Sequence, residues 1–493
     1  FIKFDILGLA SLRMIEDAIR HVLKRYHNVE NPDFKDVKSF YEKNLHPEVI
    51  NLEDTRVWEG IFHEGKWAGI FQFTEAGAQT FCKQAKPNNI TDLAAITSIY
   101  RPGPLSAGVD KMYIGAKERP EEVEYLNDKV REVTEETYGF LIFQEQIAML
   151  AHKLGKDLSL DEGNKLRKLL TKKGTGSVDA EKDKIYNKFR AGCIERGMKP
   201  YEAKELWDKF EYFSGYGFNK SHAVSYCVLS FQCAYLLHYY PECWIAAFLD
   251  KEPDKRKERA INVAKSYGYR IEPLNVNTSG ITWEISPDGK TLIQPLSSIK
   301  GLGSTAIQQI LDNRPFAKIE QFIFNDNMVY SKLNKKSLDA LIRSQALNCL
   351  MDHRFSGLKH FWSAVAVERP RKEKNLLDNI EKYSAEGDFS EEEKLQYLVD
   401  LTGFFPLNLV VNEHVQRRLD ELYIPPISEF DENLQVVWFI PREVIKKKTK
   451  NGKDFYIVKV IDCNSEQRSI KCWGVKPEKD KVYLNRPYMA KLD

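Results

Sequence analysis

From about Ser11 to Lys251 the apolar residues recur at helical spacing with short polar breaks between them, so this stretch reads as a mainly helical body. Pro200 stands at a first helical position, and Ala203, Leu206, Trp207, Phe210 and Phe213 behind it line one apolar face. Ser159-Leu160-Asp161-Glu162 has serine and glutamate at the spacing of a capping box and opens another helix that runs through Leu170. Ala223 to Leu249 is apolar enough to suggest a membrane span, but Gln232, His238, Pro241 and Glu242 interrupt it. The expected form is a buried helix followed by a second one after Pro241.

The pattern changes after Asp250. Lys251-Glu252-Pro253-Asp254-Lys255-Arg256-Lys257 forms a charged boundary, and strand-like segments near Arg270 to Leu274 and Thr291 to Pro295 lead into a second helical unit. Arg369 to Glu393 is charged and poor in aromatics, as in a linker or an exposed helix. Leu434 to Ile440, Phe455 to Asp462 and Arg468 to Trp473 alternate like strands, with Asn451-Gly452 as a hairpin turn. The expected fold is multidomain and mainly α, with a β portion at the C-terminus.

Composition adds limits. The chain has 493 residues, of which 43% are hydrophobic and 29% charged, as in a soluble globular protein. Lys and Arg number 73 against 71 Asp and Glu, a net charge of +2, so any nucleic-acid surface must be local. The eight cysteines are scattered and form no Cys-x-x-Cys pair, which argues against structural zinc and fits reduced thiols in a cytoplasm.

Two strings carry the most chemistry. Phe1-Ile2-Lys3-Phe4-Asp5-Ile6-Leu7-Gly8-Leu9 sets a lysine and a carboxylate on a short apolar run, and Tyr216-Gly217-Phe218-Asn219-Lys220-Ser221-His222 combines turn-shaping residues with donors. In this order they resemble motifs of the catalytic subunits of bacterial replicative DNA polymerase III, the C-family polymerases. The resemblance implies a two-metal nucleotidyl transfer in which Asp5 is one ligand of two Mg²⁺ ions. Lys3, two residues before it on the same face of a strand, would neutralise triphosphate charge. The family's other two aspartates come from an Asp-x-Asp motif that these residues lack, so activity is expected to need an N-terminal polymerase portion, whether the chain is truncated or half of a split gene.

Further matches lie between and beyond. Ser98-Ile99-Tyr100-Arg101-Pro102-Gly103-Pro104 is similar to a family segment whose stiff turn would aim the Arg101 guanidinium at phosphate. Phe143-Gln144-Glu145-Gln146 resembles the family's Tyr-Gln-Glu-Gln, and Gln144 either faces the nascent base pair or caps a helix. Leu166 to Lys173 matches a basic stretch, in which Lys172 and Lys173 are the candidates for phosphate. Asn219, Lys220, Ser221 and His222 are candidate nucleotide contacts, His222 by positioning and not by acid catalysis.

Ile299-Lys300-Gly301-Leu302-Gly303-Ser304 has the pattern of a helix-hairpin-helix, with Lys300, Gly301, Gly303 and Ser304 as candidate DNA contacts. In its companion, Lys335 to Ala346, Gln345 stands where the family has glycine. Lys446, Lys447 and Lys448 lie on strands that resemble the family's OB-fold, which binds single strands, although a lysine-rich hairpin also serves as a solvated edge. Asn375-Leu376-Leu377 is a candidate clamp peptide.

The resemblance therefore implies the last catalytic strand of the palm over residues 1–10 and fingers over 11–255. Tandem hairpins for duplex DNA follow over 256–360, then a linker or helical region near a clamp-binding segment over 361–430, and part of an OB-fold over 431–493. Expected partners are primer-template DNA, deoxynucleoside triphosphates, the N-terminal polymerase portion, the sliding clamp and other replisome subunits, and no membrane. The alternative is a non-catalytic DNA-binding factor that uses the hairpins and the OB strands.

Overall fold

The computed structural model describes residues 8–170, 176–214, 217–329, 331–403, 410–411, 413–431, 436–449, 452–462, 468–474 and 483–492. It divides into Phe1–Ile245 and Ala246–Asp493. The strand expected at the N-terminus, with Lys3 and Asp5, lies outside the described residues, as do Lys172 and Lys173.

The first unit is helical. In order it contains α1 (Ala10–His27), α2 (Phe34–Asn44), α3 (Thr55–Val57), α4 (Ala76–Ala85), α5 (Ile90–Ile99), α6 (Pro102–Ser106) and α7 (Val109–Glu118). There follow α8 (Asp128–Thr134), α9 (Gln144–Leu154), α10 (Leu160–Leu170), α11 (Gly176–Glu195), α12 (Pro200–Ser214) and α13 (Lys220–Tyr239). α5 packs against α13; α5 buries most of its side chains, and α13 buries half of its own, from Ala223 to Leu237. This burial, together with that of Cys243 to Leu249 in the helix that follows, explains the membrane-like composition of Ala223 to Leu249. Among the described residues no helix is long and apolar enough to cross a membrane.

Pro241 ends α13 and begins α14 (Pro241–Lys251), as expected from a residue that cannot donate into a preceding turn. α3 runs on into a π turn over Trp58–His63, where the Trp58 ring lies 4.8 Å from that of Phe231, tilted at 46°. A second core gathers Leu150, Leu154, Leu166, Phe189, Trp207 and Phe210 from α9 to α12. The capping box at α10 is formed, with the Ser159 amide donating to Glu162 at 2.9 Å and the Glu162 amide to Ser159 Oγ at 3.1 Å.

In the second unit, the charged run expected as a boundary is taken up by the end of α14 and by α15 (Asp254–Ser266). A small sheet follows, in which β3 (Thr291–Ile293) pairs parallel with β1 (Arg270–Glu272) and antiparallel with β2 (Glu284–Ile285). Next come α16 (Ser304–Asn313), α17 (Ile319–Ile323), α18 (Lys335–Arg343), α19 (Leu358–Trp362), α20 (Glu373–Lys382) and α21 (Glu391–Thr402). Ile299, Ile307, Phe322, Leu338, Leu341 and Phe361 lie in their common core.

Of the two readings of Arg369 to Glu393, linker or exposed helix, the structure has the helix, α20, with one side packed on the core. Leu376 of α20 is 1% exposed in that core, and Asn379 donates to the carbonyls of Ala364 at 3.0 Å and Glu368 at 2.6 Å. A clamp could take Leu376 only by unpacking it.

A four-stranded antiparallel sheet completes the unit, in the order β6 (Arg468–Cys472), β5 (Asp454–Ile461), β4 (Val436–Lys448), β7 (Tyr488–Lys491). β4 pairs with β7 along its first part and β5 along its second, and an irregularity between Pro441 and Glu443 lets it bend from one partner to the other. The lysines of the expected hairpin thus belong to the strand itself.

Candidate functional site

Three separated motifs of the first unit meet at one turn. Phe218 forms a parallel bridge with Phe143, its amide donating to the Ile142 carbonyl at 3.0 Å while the Gln144 amide donates to the Phe218 carbonyl at 2.9 Å. Gln144 Nε2 donates to the Gly217 carbonyl at 2.9 Å, and Gln144 Oε1 accepts from Arg167 Nη1 of α10 at 3.0 Å. A Cβ on Gly217 would lie 3.1 Å from Gln144 Cγ, so the close approach of the two segments favours glycine. From the third motif, the exposed Arg101 guanidinium lies 5.1 Å from the centre of the Phe218 ring.

Glu145 organises the start of α13. Its carboxylate accepts from Asn219 Nδ2 at 2.7 Å and from the Lys220 amide at 2.9 Å, and Arg167 Nη1 is 3.9 Å away. Asn219 is the N-cap, accepting from the His222 amide at 2.9 Å and from the Ser221 hydroxyl at 2.7 Å. Two leading groups of the helix are therefore satisfied inside the protein. The side chains of Asn219 and Ser221 are tied into this cap, while that of His222 is exposed.

Lys220 Nζ donates to both oxygens of Glu136 at 2.6 Å, an ion pair with side chains 31% and 38% exposed. Pairs this wet contribute about 0–1 kcal/mol and exchange readily with another anion. The His222 ring stands 5.5 Å from Phe218 and 4.2 Å from Tyr226, an aromatic setting for positioning.

The turn rests on a deeper support. Asp92 of α5, 1% exposed, pairs with Lys117 Nζ at 2.9 Å and accepts from the Tyr138 hydroxyl at 3.1 Å. Burial first, then the charge of Asp92, push the Tyr138 hydroxyl well above the ordinary tyrosine range, so it stays a donor. α5 leads directly into Arg101.

Arg101, Gln144, Asn219, Lys220, Ser221 and His222 are thus brought together. Gln144 makes both of its described bonds to the protein and acts as a tie between segments. The start of α9 is instead tied by Gln146, the third residue of the helix, whose Oε1 reaches back to accept from the Ile142 amide at 2.8 Å and from the amide of the N-cap Phe143 at 2.9 Å. Phe143 is 1% exposed, so the hydroxyl missing relative to tyrosine would have pointed into the core. Sequence reasoning passed over Glu145, Arg167 and Glu136, because a glutamate between two glutamines and an arginine in a basic run have no local signature.

In the second unit, the glycine turn is built as a hairpin without a full leading helix. Only a 3₁₀ turn, Leu296–Ser298, precedes it. Gly301 has φ +89°, a conformation that favours glycine, and Gly303 is the N-cap of α16 with no side-chain cap on the helix amides. Ile299 and Leu302 anchor the turn in the core, while Lys300, Gly301, Gly303 and Ser304 are exposed. In the companion element, Gln345 adopts φ +66°.

On the terminal sheet Lys446 pairs with Asp454 at 2.8 Å, and Lys447 and Lys448 are exposed. Phe455, opposite Lys447 in the register, stacks on Trp473 with centroids 4.6 Å apart and planes at 16°, and Trp473 is 60% exposed. This is an open aromatic surface beside basic side chains.

Comparison with known proteins decides the family. Residues 18–193 match the bacterial DNA polymerase III alpha subunit finger domain, and residues 268–357 match a helix-hairpin-helix motif. The chain is a relative of the bacterial DNA polymerase III alpha subunits. DNA polymerase III subunit alpha of Campylobacter jejuni is 28% identical over 478 residues, covering 94% of this chain and 37% of that protein. That of Aquifex aeolicus is 29% identical over 469 residues, covering 94% and 38%. That of Xylella fastidiosa is 31% identical over 385 residues, covering 77% and 30%. The chain thus spans between 30% and 38% of the length of these relatives. The meeting of Arg101, Gln144 and Phe218 involves the finger-domain match and the segment after it.

Proposed function

We propose that this chain is part of a DNA-directed DNA polymerase, whose fingers hold the triphosphate of an incoming deoxynucleotide while the second unit grips DNA. The observation that supports this most is the gathering of Arg101, Arg167 and Lys220 around residues 217–220, each held by a ring, an amide or an exposed carboxylate that a phosphate can outcompete. Arg101 and Lys220 would neutralise phosphate oxygens, and Arg167, fixed by Gln144 and near Glu145, would offer its remaining N–H groups as a preformed fork. Ser221 and His222 would complete the donor set. The duplex would lie on the Gly301 hairpin, and a single strand on the Phe455–Trp473 stack with Lys446, Lys447 and Lys448.

The reaction in this reading is attack of a primer 3′-hydroxyl on the α-phosphate with release of pyrophosphate. Bound Mg²⁺ would lower the pKa of that hydroxyl and clamp the triphosphate. Asp5, assisted by Lys3, would hold the ions together with carboxylates of an N-terminal polymerase portion. Among the described residues no group of three or more His, Cys, Asp or Glu is placed to hold a metal ion. The part assigned to the described residues is binding and positioning. A sliding clamp and other replisome subunits, in a cytoplasm, complete the setting.

The test is Mg²⁺-dependent primer extension by this chain together with the polymerase segment encoded upstream, beside Asp5→Ala and Arg101→Ala versions. Extension by the wild type, none with Asp5→Ala and a raised nucleotide KM with Arg101→Ala are expected. DNA binding without extension in any of them would leave a DNA-binding factor as the better reading.

A further inference from the structure

Tyr100 stands between the buried end of α5 and Arg101. Ile99, 1% exposed, is the last residue of that helix. Tyr100 then turns the chain with φ −71° and ψ 67°, the inverse γ conformation, and the Arg101 amide donates to the Ile99 carbonyl at 2.6 Å. Arg101 leaves the turn extended, with φ −143° and ψ 151°, as a residue before proline must. The segment beyond it is held less firmly. α6 buries none of its residues, and Gly108 behind it, at φ +70°, has open space where a Cβ would stand. The direction of the guanidinium is therefore set from the Tyr100 side.

The Tyr100 ring lies on α4. A Cβ built on Gly77 would overlap Tyr100 Oη and lie 3.1 Å from Cε2 and Cζ, so the ring occupies the place of a side chain on the first turn of that helix. α4 is a fixed seat, because Ala78, Phe81, Cys82 and Ala85 are buried behind it. Gly77 itself is exposed, its φ lies outside the left-handed region, and alanine would serve the helix better. The nearest atoms to the missing Cβ all belong to Tyr100, and the room that glycine leaves is the room this ring uses.

We propose that Gly77 and Tyr100 are positioning residues for Arg101. The bare first turn of α4 seats the Tyr100 ring, and the seated ring holds the turn at the end of α5. That turn, together with the Phe218 ring 5.1 Å from the guanidinium, presents Arg101 to the triphosphate of the incoming nucleotide. This rests on the reading of Arg101 as a triphosphate contact and extends it to α4, on the other side of Tyr100. The chemistry asks for such a support, since paired N–H groups match phosphate oxygens only in one orientation and a small misplacement forfeits most of the contact.

The test is Mg²⁺-dependent primer extension at varied nucleotide concentration by this chain together with the polymerase segment encoded upstream. It compares Gly77→Ala, Gly77→Ala combined with Tyr100→Phe, and Arg101→Ala, with the urea midpoint of each. Gly77→Ala is expected to raise the nucleotide KM about tenfold, with kcat and the affinity for primer-template nearly unchanged. Its urea midpoint should stay level or rise, because alanine favours the helix and only the end of a ring has to move. Adding Tyr100→Phe removes the overlapping hydroxyl and should bring KM most of the way back, while Arg101→Ala should raise KM at least as far as Gly77→Ala does. Three results would overturn the positioning role and leave Arg101 as a phosphate contact: a KM raised by Arg101→Ala but not by Gly77→Ala, a raised KM that Tyr100→Phe does not restore, or a midpoint that falls in step with activity. No extension by the wild type, or a KM indifferent to Arg101→Ala, would overturn both readings.

Discussion

At the Phe218 turn every named cation is held by a partner in the protein, whereas among the described residues of the second unit no ion pair holds Lys300, Lys335 or Lys336. Arg101 lies on a ring, Arg167 on an amide and Lys220 on Glu136. Lys300, Lys335 and Lys336 stand in solvent. A small ligand that must be placed to within a fraction of an ångström needs donors fixed before it arrives. A DNA backbone is gripped wherever it passes, and mobile ammonium groups suffice. The fingers and the hairpins thus use the same residue types with opposite degrees of constraint.

The strongest way to break the contrast is to remove the most constrained cation's partner. Asp92→Ala leaves Lys117, 9% exposed, without its carboxylate beneath α5. The expected loss is about 3–5 kcal/mol of stability in the Phe1–Ile245 unit, because an uncompensated charge stays buried. Urea unfolding followed by hydrogen exchange, which reads both units in one sample, checks that the loss is confined to the fingers. Equal loss in the second unit would mean that the units unfold as one.

Acid sharpens the same comparison. In the first unit, burial and then Lys24 hold the His21 imidazole down at about 4, although Asp17 pulls the other way. The unfolded chain, with an ordinary histidine near 6.5, binds a proton that the folded chain refuses between those values, so stability is full above 6.5 and falls as pH drops towards 4. From pH 7 to 5 this amounts to about 2 kcal/mol. In the second unit, burial raises the Glu258 carboxyl above its ordinary 4.5 against the pull of Arg442, 3.9 Å away. There the folded chain binds the extra proton, so this group favours folding more as pH falls. Exchange protection at pH 7 and 5 should therefore drop further in the first unit, and His21→Leu should remove most of that drop.

What was legible in the sequence followed the range of the interactions. The capping box of Ser159 and Glu162 spans one turn, and the Pro241 break is a property of one residue, so both were readable as written. The terminal strands were visible from alternation, but not that the strand expected to end at Ile440 runs on to Lys448, since its continuation past the irregularity at Pro441 depends on pairing with a second partner. Arg369 to Glu393 reads as a linker or an exposed helix because its charged face dominates the composition, while burial of Leu376 and Asn379 is enough to dock the helix. At the candidate site the strings themselves were legible through family resemblance. The contact of Glu145 with Asn219 and Lys220 crosses more than seventy residues, and nothing local marks it.

The smallest expected effect is the most discriminating. Glu136→Gln releases the Lys220 ammonium and makes one cation of the fingers as unconstrained as those of the second unit. Both side chains of the pair are about a third exposed, and the cost in stability is expected to stay under about 1 kcal/mol, read as a small shift of the urea midpoint without a change of slope. Lys220 remains attached through its backbone, because its amide is bound by Glu145 and not by Glu136. A small cost fits a pair that waits to be displaced by phosphate. A cost well above that would make Lys220 a brace between Glu136 and the start of α13, and Arg101 and Arg167 would then have to supply the positive charge of the site between them.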